Sequence, residues 1–449
     1  MPSPPPSEIT LGMELYSTDF EGIGGNLKQR YEDFIVEEIS SDGDIALANI
    51  SEDEPFIEPA VSVAGESRKA KFVHFTVQKL GLNTMDVASL FSSGLNISRN
   101  LITYAGLKDK RALTVQRFSA PAKSVDALKE LKLERIWIRD LEFSRKQILT
   151  GDLWGNRFTI LLRNIEVPCD ETYQIINELS ERPILNYFGI QRFGVSRPFT
   201  HLVGRALTNR DFEEAARNIL AKSSPYESDE LREIRSSIMD GNVPESVLEK
   251  FPKELRYERF MIKSLITHPQ DYERAFSKIP PKMQTLFVHS FQSYLFNRII
   301  SLRSKEGMSL EKPEIGDFIA RVDTPNIGRD DWLFVTEQNI ETRIEQVQSG
   351  EYGLVNIIPG YTSKLPNTRQ TEHIKRILRE ENTKIEDFRF SENKYLDSPG
   401  GFHPITVYLT KVDANCTAEG LQIRFSLRKG SYATVVLREI MKNAPENRT

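Results

Sequence analysis

The sequence predicts an α+β protein in which a mixed, mostly antiparallel sheet is interrupted by a largely helical segment. Apolar and polar residues alternate over residues 71–78 and again over 421–427, as in strands with one buried face. Between these stretches, residues 205–305 carry apolar side chains at the three- and four-residue spacing of amphipathic helices. Strand-rich ends around a helical middle predict an inserted domain.

The composition is that of an ordinary globular protein. The chain has 449 residues, of which 39% are hydrophobic and 27% charged, and its length suggests two or three domains. No apolar run approaches the roughly 18 residues of a membrane span, and the Pro-rich N-terminus lacks the features of a signal peptide. Two cysteines predict neither a disulfide framework nor a cysteine-rich zinc site. We therefore expect a cytoplasmic protein without membrane association.

The first 185 residues are predicted to be mainly strands. Residues 1–10 are rich in Pro and Ser and are expected to be disordered. Asn83 has the position of an N-cap for a helix whose buried side includes Val87, Leu90 and Phe91. The other elements predicted here are a strand or strand pair over 26–39, a loop over 40–70, strands over 71–78, 136–143 and 157–162, and helices over 124–131 (capped by Ser124) and 172–179.

The pattern changes near residue 185, after which helices dominate. Short strands are predicted again within 315–358, and alternating strands return near the C-terminus. The helices predicted from spacing are 211–220, 229–239, 244–255, 283–302, 340–348, 370–388 and 432–442, and the C-terminal strands are 405–411 and 421–427.

A charged loop over residues 104–112, Y-A-G-L-K-D-K-R-A, separates two predicted strands. Asp109 stands between Lys108 and Lys110, and Arg111 follows. A cationic surrounding stabilises the charged form of a carboxylate, and such a carboxylate is suited to act as a nucleophile. From these residues alone, a solvated surface turn with balanced charges is the alternative.

This loop resembles the signature loop of the TruD family of tRNA pseudouridine synthases, and the chain is similar to an archaeal-type member. The resemblance implies a pseudouridine-synthase catalytic domain over residues 11–185 and 400–449. It also implies an inserted TRUD domain over residues 186–399. Four further blocks match the family in order: residues 28–36 (K-Q-R-Y-E-D-F-I-V), 155–159 (G-N-R-F-T), 186–194 (N-Y-F-G-I-Q-R-F-G) and 429–439 (K-G-S-Y-A-T-V-V-L-R-E).

The resemblance also implies roles for individual residues. Asp109 matches the catalytic nucleophile, and Lys28 matches a basic residue near it that would keep the carboxylate ionised. A flipped base needs a flat apolar surface and polar groups that recognise its edge. The residues alone leave other roles open, since aromatic rings often fill cores, Asn often lies in turns, and Lys is usually at the surface. The implied substrate-binding residues are Phe34, Asn156, Phe158 and Tyr432.

The net charge by itself argues against an RNA partner, and if RNA binds, the basic groups must be segregated in one cleft. With 59 basic and 64 acidic residues, the chain has a net charge of −5. An acidic protein that binds RNA must do so through a local basic cleft, because phosphate contacts dominate affinity. We expect a monomer whose partner is tRNA. The residues predicted to contact the RNA backbone are Arg30, Lys108, Lys110, Arg111 and Arg192.

The reaction that the resemblance implies converts the uridine at position 13 of tRNA to pseudouridine. It breaks the N-glycosidic bond and rejoins the base through carbon 5, without a metal or cofactor. Whether Asp109 attacks the sugar or abstracts a sugar proton is open. A second hypothesis is a glycosidase that pairs Glu32 or Asp33 with Asp109 as acid and nucleophile. A third is a non-catalytic RNA-binding protein.

Overall fold

The computed structural model describes residues 2–50, 62–65, 69–225, 227–238, 245–322 and 331–448. The chain divides into two compact units. The sheet unit comprises residues 18–184 and the chain from Val407 onward, and the helical unit comprises the residues through Ser17 and residues 185–406. Residues 11–17 therefore group with the helical unit, not with the segment that follows them in sequence. None of the helices in the described ranges has the length and apolarity needed to cross a membrane.

The helices and strands have the following bounds. The strands are β1 (Gly24–Asn26), β2 (Phe34–Ile39), β3 (Val63–Ala64), β4 (Phe72–Leu80), β5 (Thr103–Tyr104), β6 (Leu113–Pro121), β7 (Ile136–Ser144), β8 (Gly155–Ile165), β9 (Ile184–Leu185), β10 (Phe318–Arg321), β11 (Trp332–Phe334), β12 (Tyr352–Ile358), β13 (Gly401–Pro404), β14 (Thr406–Val407), β15 (Thr410–Thr417) and β16 (Gly420–Arg428). The helices are α1 (Pro6–Ile9), α2 (Thr84–Gly94), α3 (Val125–Glu130), α4 (Cys169–Glu181), α5 (Thr200–Thr208), α6 (Phe212–Leu220), α7 (Asp229–Ser236), α8 (Glu245–Lys250), α9 (Arg256–Thr267), α10 (Tyr272–Phe276), α11 (Pro281–Lys305), α12 (Ile340–Gln348), α13 (Arg369–Glu380) and α14 (Ala433–Met441).

The sheet unit is built on one large mixed sheet. Its strand order is β15-β16-β8-β2-β6-β4-β7-β3, with β1 paired to β8 and β5 paired to β6. Among the described strands of this sheet, the β2–β6 and β3–β7 pairs are parallel and the others are antiparallel. The predicted mixed, mostly antiparallel sheet is therefore confirmed. The strand predicted over 71–78 corresponds to β4, and the one over 136–143 to β7.

Helix α2 covers one face of this sheet and begins where the sequence predicts. The side chain of Asn83 accepts a hydrogen bond of 2.8 Å from the backbone N–H of Asp86, which satisfies a donor of the first turn. Phe91 of α2 packs edge-on against Phe75 of β4, with ring centroids 5.3 Å apart. Ser124 is the N-cap residue of α3, as predicted, but its side chain makes no capping hydrogen bond.

The helical unit has its own core, in which the 25-residue α11 packs against α5 and α13 and a small antiparallel sheet of order β11-β10-β12-β13.

The predicted helix over 244–255 is wrong at its C-terminal end. Helix α8 ends at Lys250 and α9 begins at Arg256, with Pro252 in the connection, where it cannot continue a helix. The predicted helix over 370–388 also ends early, at Glu380, and residues 385–388 form a separate 3₁₀ turn.

The N-terminal residues differ from the expected disorder over residues 1–10. Residues Pro6–Ile9 form a helical turn that begins with a proline, which has a backbone suited to a first helical position. Glu8 within this turn and Leu11 just after it are buried. The carbonyl oxygen of Leu11 accepts a hydrogen bond from the Asn297 amide of α11. Long-range packing within the helical unit therefore orders a segment whose composition alone is typical of disorder.

The two cysteines lie in the sheet unit and are joined to each other. Cys169 is the first residue of α4 and Cys416 lies in β15, and their Cα atoms are 6.1 Å apart. Although no framework of several disulfides exists, this single bond links residues separated by 247 positions in sequence. The sequence analysis did not anticipate it, because two isolated cysteines do not indicate whether their backbones come together.

The helical unit also contains buried neutral histidines. The ring of His403 stacks on Phe188 at 4.5 Å, and its Nε2 accepts a hydrogen bond from the Asn186 amide. Burial, with a smaller contribution from Arg192, lowers the pKa of His403 to about 4. Burial likewise lowers the pKa of His201 to about 3.

We expect these histidines to make the helical unit sensitive to acid. Because the folded pKa of His403 lies below its unfolded value, the unfolded state binds more protons between these values. The stability that each neutral histidine contributes is fully present above about pH 6.5. This contribution is lost as the pH falls toward 4, by up to about 1.4 kcal/mol per pH unit for each histidine. Urea unfolding at pH 7 and pH 5 measures this loss. His403→Asn, which cannot be protonated, should show a smaller loss, and an equal loss would contradict the assignment.

Candidate active site

The centre of the site is an ion pair between residues 81 positions apart in sequence. The ammonium of Lys28 lies 3.0 Å from Oδ1 of Asp109. Lys28 is buried, whereas the Asp109 side chain is 34% exposed. The carboxylate is therefore held in one orientation by a buried cation and remains accessible to a substrate from solvent.

Lys28 reaches this position through an unusual backbone conformation. Its φ is +57°, in the left-handed region that non-glycine residues adopt at a cost of roughly 1–2 kcal/mol. Its ammonium also lies 4.0 Å from the ring centroid of Phe34, a cation–π contact. Strained residues of this kind are concentrated at functional sites, where surrounding contacts maintain them.

Strand register brings the predicted substrate-binding residues of β2 and β8 onto one face. Val36 is paired with Phe158, and Glu38 is paired with Asn156, so all of these side chains point the same way as Phe34. The Phe34 and Phe158 rings meet edge to face at 6.0 Å. Both rings are almost fully buried, and the Oδ1 atom of Asn156 is a buried acceptor without a hydrogen-bond partner in the described part of the chain.

Buried polar side chains of the sheet and of α2 hold the Asp109 loop from beneath. The Lys79 ammonium donates to the carbonyl oxygens of Leu82 at 2.6 Å and Asp109 at 3.1 Å. Gln116 donates to the Gly106 carbonyl, and Thr84 accepts from the backbone N–H of Lys108, each at 3.0 Å. These bonds fix the loop backbone on both sides of the carboxylate.

Burial lowers the pKa of Lys79. Desolvation lowers the pKa of Lys79 to about 8; the Asp109 carboxylate partly opposes this effect, and Lys108 adds to it. Its two backbone-carbonyl acceptors partly replace the water that the ammonium loses on burial.

Lys108 points inward, although the sequence placed it among the residues that contact the RNA backbone. Its ammonium lies 2.8 Å from Oε2 of Glu38, and both side chains are almost completely buried. The other oxygen of Glu38 accepts from the backbone N–H of Arg117. In this structure the charge of Lys108 is thus neutralised inside the sheet unit, and it is not presented to solvent.

The other predicted basic residues are placed differently from one another. Lys110 and Arg111 follow Asp109 and are exposed, and Arg30 is exposed two residues after Lys28. Arg192 belongs to the helical unit, where it donates to the Ser293 hydroxyl. The remaining predicted site residue, Tyr432, precedes α14 as its N-cap residue, and its side chain is 41% exposed.

The geometry argues against Asp33 as the second carboxylate of the glycosidase hypothesis. Asp33 is buried and accepts hydrogen bonds from the Arg163 guanidinium, with Nη2 at 2.8 Å from Oδ1. Its other oxygen also accepts from the backbone N–H of Arg30. A carboxylate satisfied in this way acts as a structural partner of Arg163. Across the described ranges, no group of three His, Cys, Asp or Glu side chains is placed to hold a metal ion.

Comparison with known proteins identifies the family. The model of the family "tRNA pseudouridine synthase D (TruD)" matches residues 10–440. The chain belongs to the TruD family. A relative named "Probable tRNA pseudouridine synthase D" from Methanosarcina acetivorans is 32% identical over 460 residues, covering 98% of each protein. Another, "Probable tRNA pseudouridine synthase D 1" from Methanocaldococcus jannaschii, is 32% identical over 435 residues, covering 97% of this chain and 99% of the relative.

A solved structure extends the similarity to the fold. The crystal structure of the putative tRNA pseudouridine synthase D from Methanosarcina mazei aligns with a TM-score of 0.80 at 31% identity, covering 98% of each chain. The resemblance and the α+β fold predicted from the sequence are therefore confirmed.

Sequence reasoning missed the residues that hold the loop of this TruD-family protein. Lys79 lies near the end of β4, and Glu38 lies near the end of β2. In both strands the two-residue period places this charged side chain on the same face as apolar residues. A charge on a buried face was the available signal, since Lys and Glu are rarely buried without a partner. Identifying the partner required the strand register.

We expect Lys79→Met to lower turnover at least tenfold while leaving tRNA affinity near that of the parent. The change removes the ammonium that donates both hydrogen bonds. Each carbonyl left buried and unpaired costs roughly 1–3 kcal/mol, so the loop that carries Asp109 loses its fixed position. Single-turnover kinetics and tRNA binding measure the two effects. Lys71→Met, the same change at an exposed position just before β4, is the control. Parental turnover in Lys79→Met would show that the loop does not need this anchor.

Proposed function

We propose that this TruD-family chain isomerises the uridine at position 13 of tRNA to pseudouridine. The observation that carries the proposal is the Lys28–Asp109 pair. A partly exposed carboxylate lies in the signature loop of the family, held at 3.0 Å by a buried cation. The names of the curated relatives, which are tRNA pseudouridine synthases, support the same substrate class.

Asp109 is the proposed catalytic group. The reaction detaches a base from its ribose, and a carboxylate can either form a covalent sugar intermediate or stabilise the positive charge that develops on the sugar. Lys28 orients the carboxylate through the 3.0 Å ion pair without blocking its exposed side. Its contact with Phe34 ties this orientation to the wall of the proposed base pocket.

The flipped uracil is proposed to bind beside the aromatic residues of β2 and β8. The Phe34 and Phe158 rings and the unpartnered Oδ1 of Asn156 are buried in the free protein, so the proposal requires that substrate binding uncover them. Stacking of a base on an aromatic ring is worth about 1–3 kcal/mol, and the amide oxygen would then accept from the N3–H of uracil. Tyr432, with its exposed ring, is proposed to contact the target nucleotide as well.

The two units are proposed to correspond to the two functional domains of the family. The sheet unit, which holds Asp109, is the catalytic domain, and the helical unit is the inserted TRUD domain. Arg30, Lys110 and Arg111 are exposed in the catalytic domain and are proposed to contact RNA phosphates, with Arg192 doing so in the other domain. We propose that the protein acts as a cytoplasmic monomer.

The test is incubation of purified protein with a tRNA transcript that carries uridine at position 13. Pseudouridine is isomeric with uridine, so conversion leaves the mass unchanged and is detected by a carbodiimide adduct that stops primer extension. We expect a stop that maps to position 13 in the treated tRNA. Release of free uracil would instead indicate a glycosidase, and binding without any conversion would indicate a non-catalytic RNA-binding protein.

A further inference from the structure

The helical unit contains a cationic groove that the reaction does not explain. It lies between α9 and the segment containing α10, and it encloses a cavity of about 330 Å³. We call it the α9–α10 groove. The residues that define it are Phe260, Lys263, Ser264, His268, Arg274 and Lys278.

The charge of this groove is unusual for the protein. The chain as a whole has a net charge of −5, yet none of the described residues that line the groove carries a carboxylate. Lys263, Arg274 and Lys278 are all exposed, and none forms an ion pair within the described ranges. The nearby acidic residues line a different cavity, beside the start of α6 and the start of α10, formed in part by Asp211, Glu213, Asp271 and Glu273. That second cavity also includes Arg210, so it carries both charges, whereas the charged residues of the α9–α10 groove are basic.

The groove combines its cations with an exposed aromatic ring. Phe260 is 51% exposed, and it lies one helical turn before Lys263 and Ser264 on the same side of α9. Tyr257, three residues earlier, is also exposed. A large apolar ring in solvent beside unpaired cations fits a ligand that carries both negative charge and flat apolar surface.

An unsatisfied hydroxyl provides a second observation. Ser264 is more than nine-tenths buried and lines the groove, and its Oγ is buried without a hydrogen-bond partner in the part of the chain that the structure describes. Buried polar atoms in proteins are nearly always paired, so this unpaired hydroxyl is unusual. Because its Oγ has almost no accessible surface, a ligand would bond to it only after a shift of the groove wall.

We propose that the α9–α10 groove binds an RNA strand through its phosphates, with a base stacked on Phe260. Flexible cations that follow a backbone, interleaved with aromatic rings, are the arrangement by which proteins hold single-stranded nucleic acid. This inference rests on the proposed tRNA substrate, and it assigns to the helical unit a binding site of its own. A compact anion such as inorganic phosphate would use the cations but would leave the exposed ring without a function.

Salt-dependent binding of the full-length protein to tRNA tests the inference. The groove variant is Lys263→Ala/Arg274→Ala/Lys278→Ala. The matched control is Lys312→Ala/Lys364→Ala/Lys394→Ala, which removes three exposed cations of the same unit outside the groove. Each lost phosphate contact should flatten the log–log dependence of affinity on salt by about 0.7, so the groove variant should differ by about two. Phe260→Ala should lower affinity about fivefold or more with the slope unchanged.

The outcomes separate this inference from the proposed function. A flattened slope in the groove variant, with parental slope in the control variant, supports an RNA site at the groove. Affinity and slope equal to those of the control variant would overturn it, even if the parent converts uridine normally. Flattening in both variants would also overturn it, because the effect would then reflect net charge. Failure of the parent to convert any uridine would contradict the proposed function. The salt slopes of the groove and control variants would still decide whether the groove binds RNA.

Discussion

Asp109→Ala should abolish uridine conversion while the protein still folds and binds tRNA. Asp109→Asn keeps the shape of the side chain and removes its charge, and it should have the same effect, because the amide can neither attack the sugar nor stabilise a cation there. Loss of the carboxylate also leaves the buried Lys28 ammonium without its partner, so some loss of stability is expected. Single-turnover conversion, thermal unfolding and tRNA binding separate these effects.

The control for Asp109 is an acidic residue of the same unit with no place in the site. Asp126→Asn alters a side chain that is 88% exposed on α3 and should leave turnover unchanged. If Asp109→Ala retained turnover within roughly tenfold of the parent, a barrier change of only about 1.4 kcal/mol, the assignment of the catalytic group would be wrong. A large loss in Asp109→Ala together with normal tRNA affinity would support it.

Glu38→Ala should be among the most destabilising single changes in the sheet unit. Removing Glu38 leaves the Lys108 ammonium, 2.8 Å away, buried without a counter-charge, and it leaves the Arg117 N–H without its acceptor. Breaking a buried pair from one side typically costs about 3–5 kcal/mol. Because Lys108 precedes Asp109, turnover should fall as well. Urea unfolding measures the first effect, and conversion of tRNA measures the second.

Two further variants show whether the loss of stability comes from the unpaired buried charge of Lys108. Glu38→Leu/Lys108→Met replaces the pair by apolar side chains, and it should recover most of the lost stability, since such replacements are often neutral or stabilising. The exposed pair of Lys129 and Asp126 is the comparison, and Asp126→Ala should cost no more than about 1 kcal/mol. Equal costs for Glu38→Ala and Asp126→Ala would mean that Lys108 is not effectively buried.

Local sequence was sufficient to predict several of the helices and strands. Strands β4 and β7 and helix α12 are where their periodicity predicts, and Asn83 caps α2 as expected. These features depend on consecutive residues, so a short window contains the necessary information. The helix limits near residues 250 and 380 were less predictable, because spacing alone does not mark where a helix ends.

By itself, the sequence determined the α+β class and the TruD resemblance, and it led to the hypothesis that Asp109 is the catalytic group, because each depends on local patterns and motifs. Only the tertiary structure decided what surrounds that carboxylate. Lys28 reaches it through a left-handed backbone, Lys79 bonds to its carbonyl, and Lys108, which the sequence placed toward RNA, turns inward to Glu38. The direction of a charged side chain depends on strand register and on desolvation, which favours a buried partner over none. Neither is visible in the residues next to it in the chain.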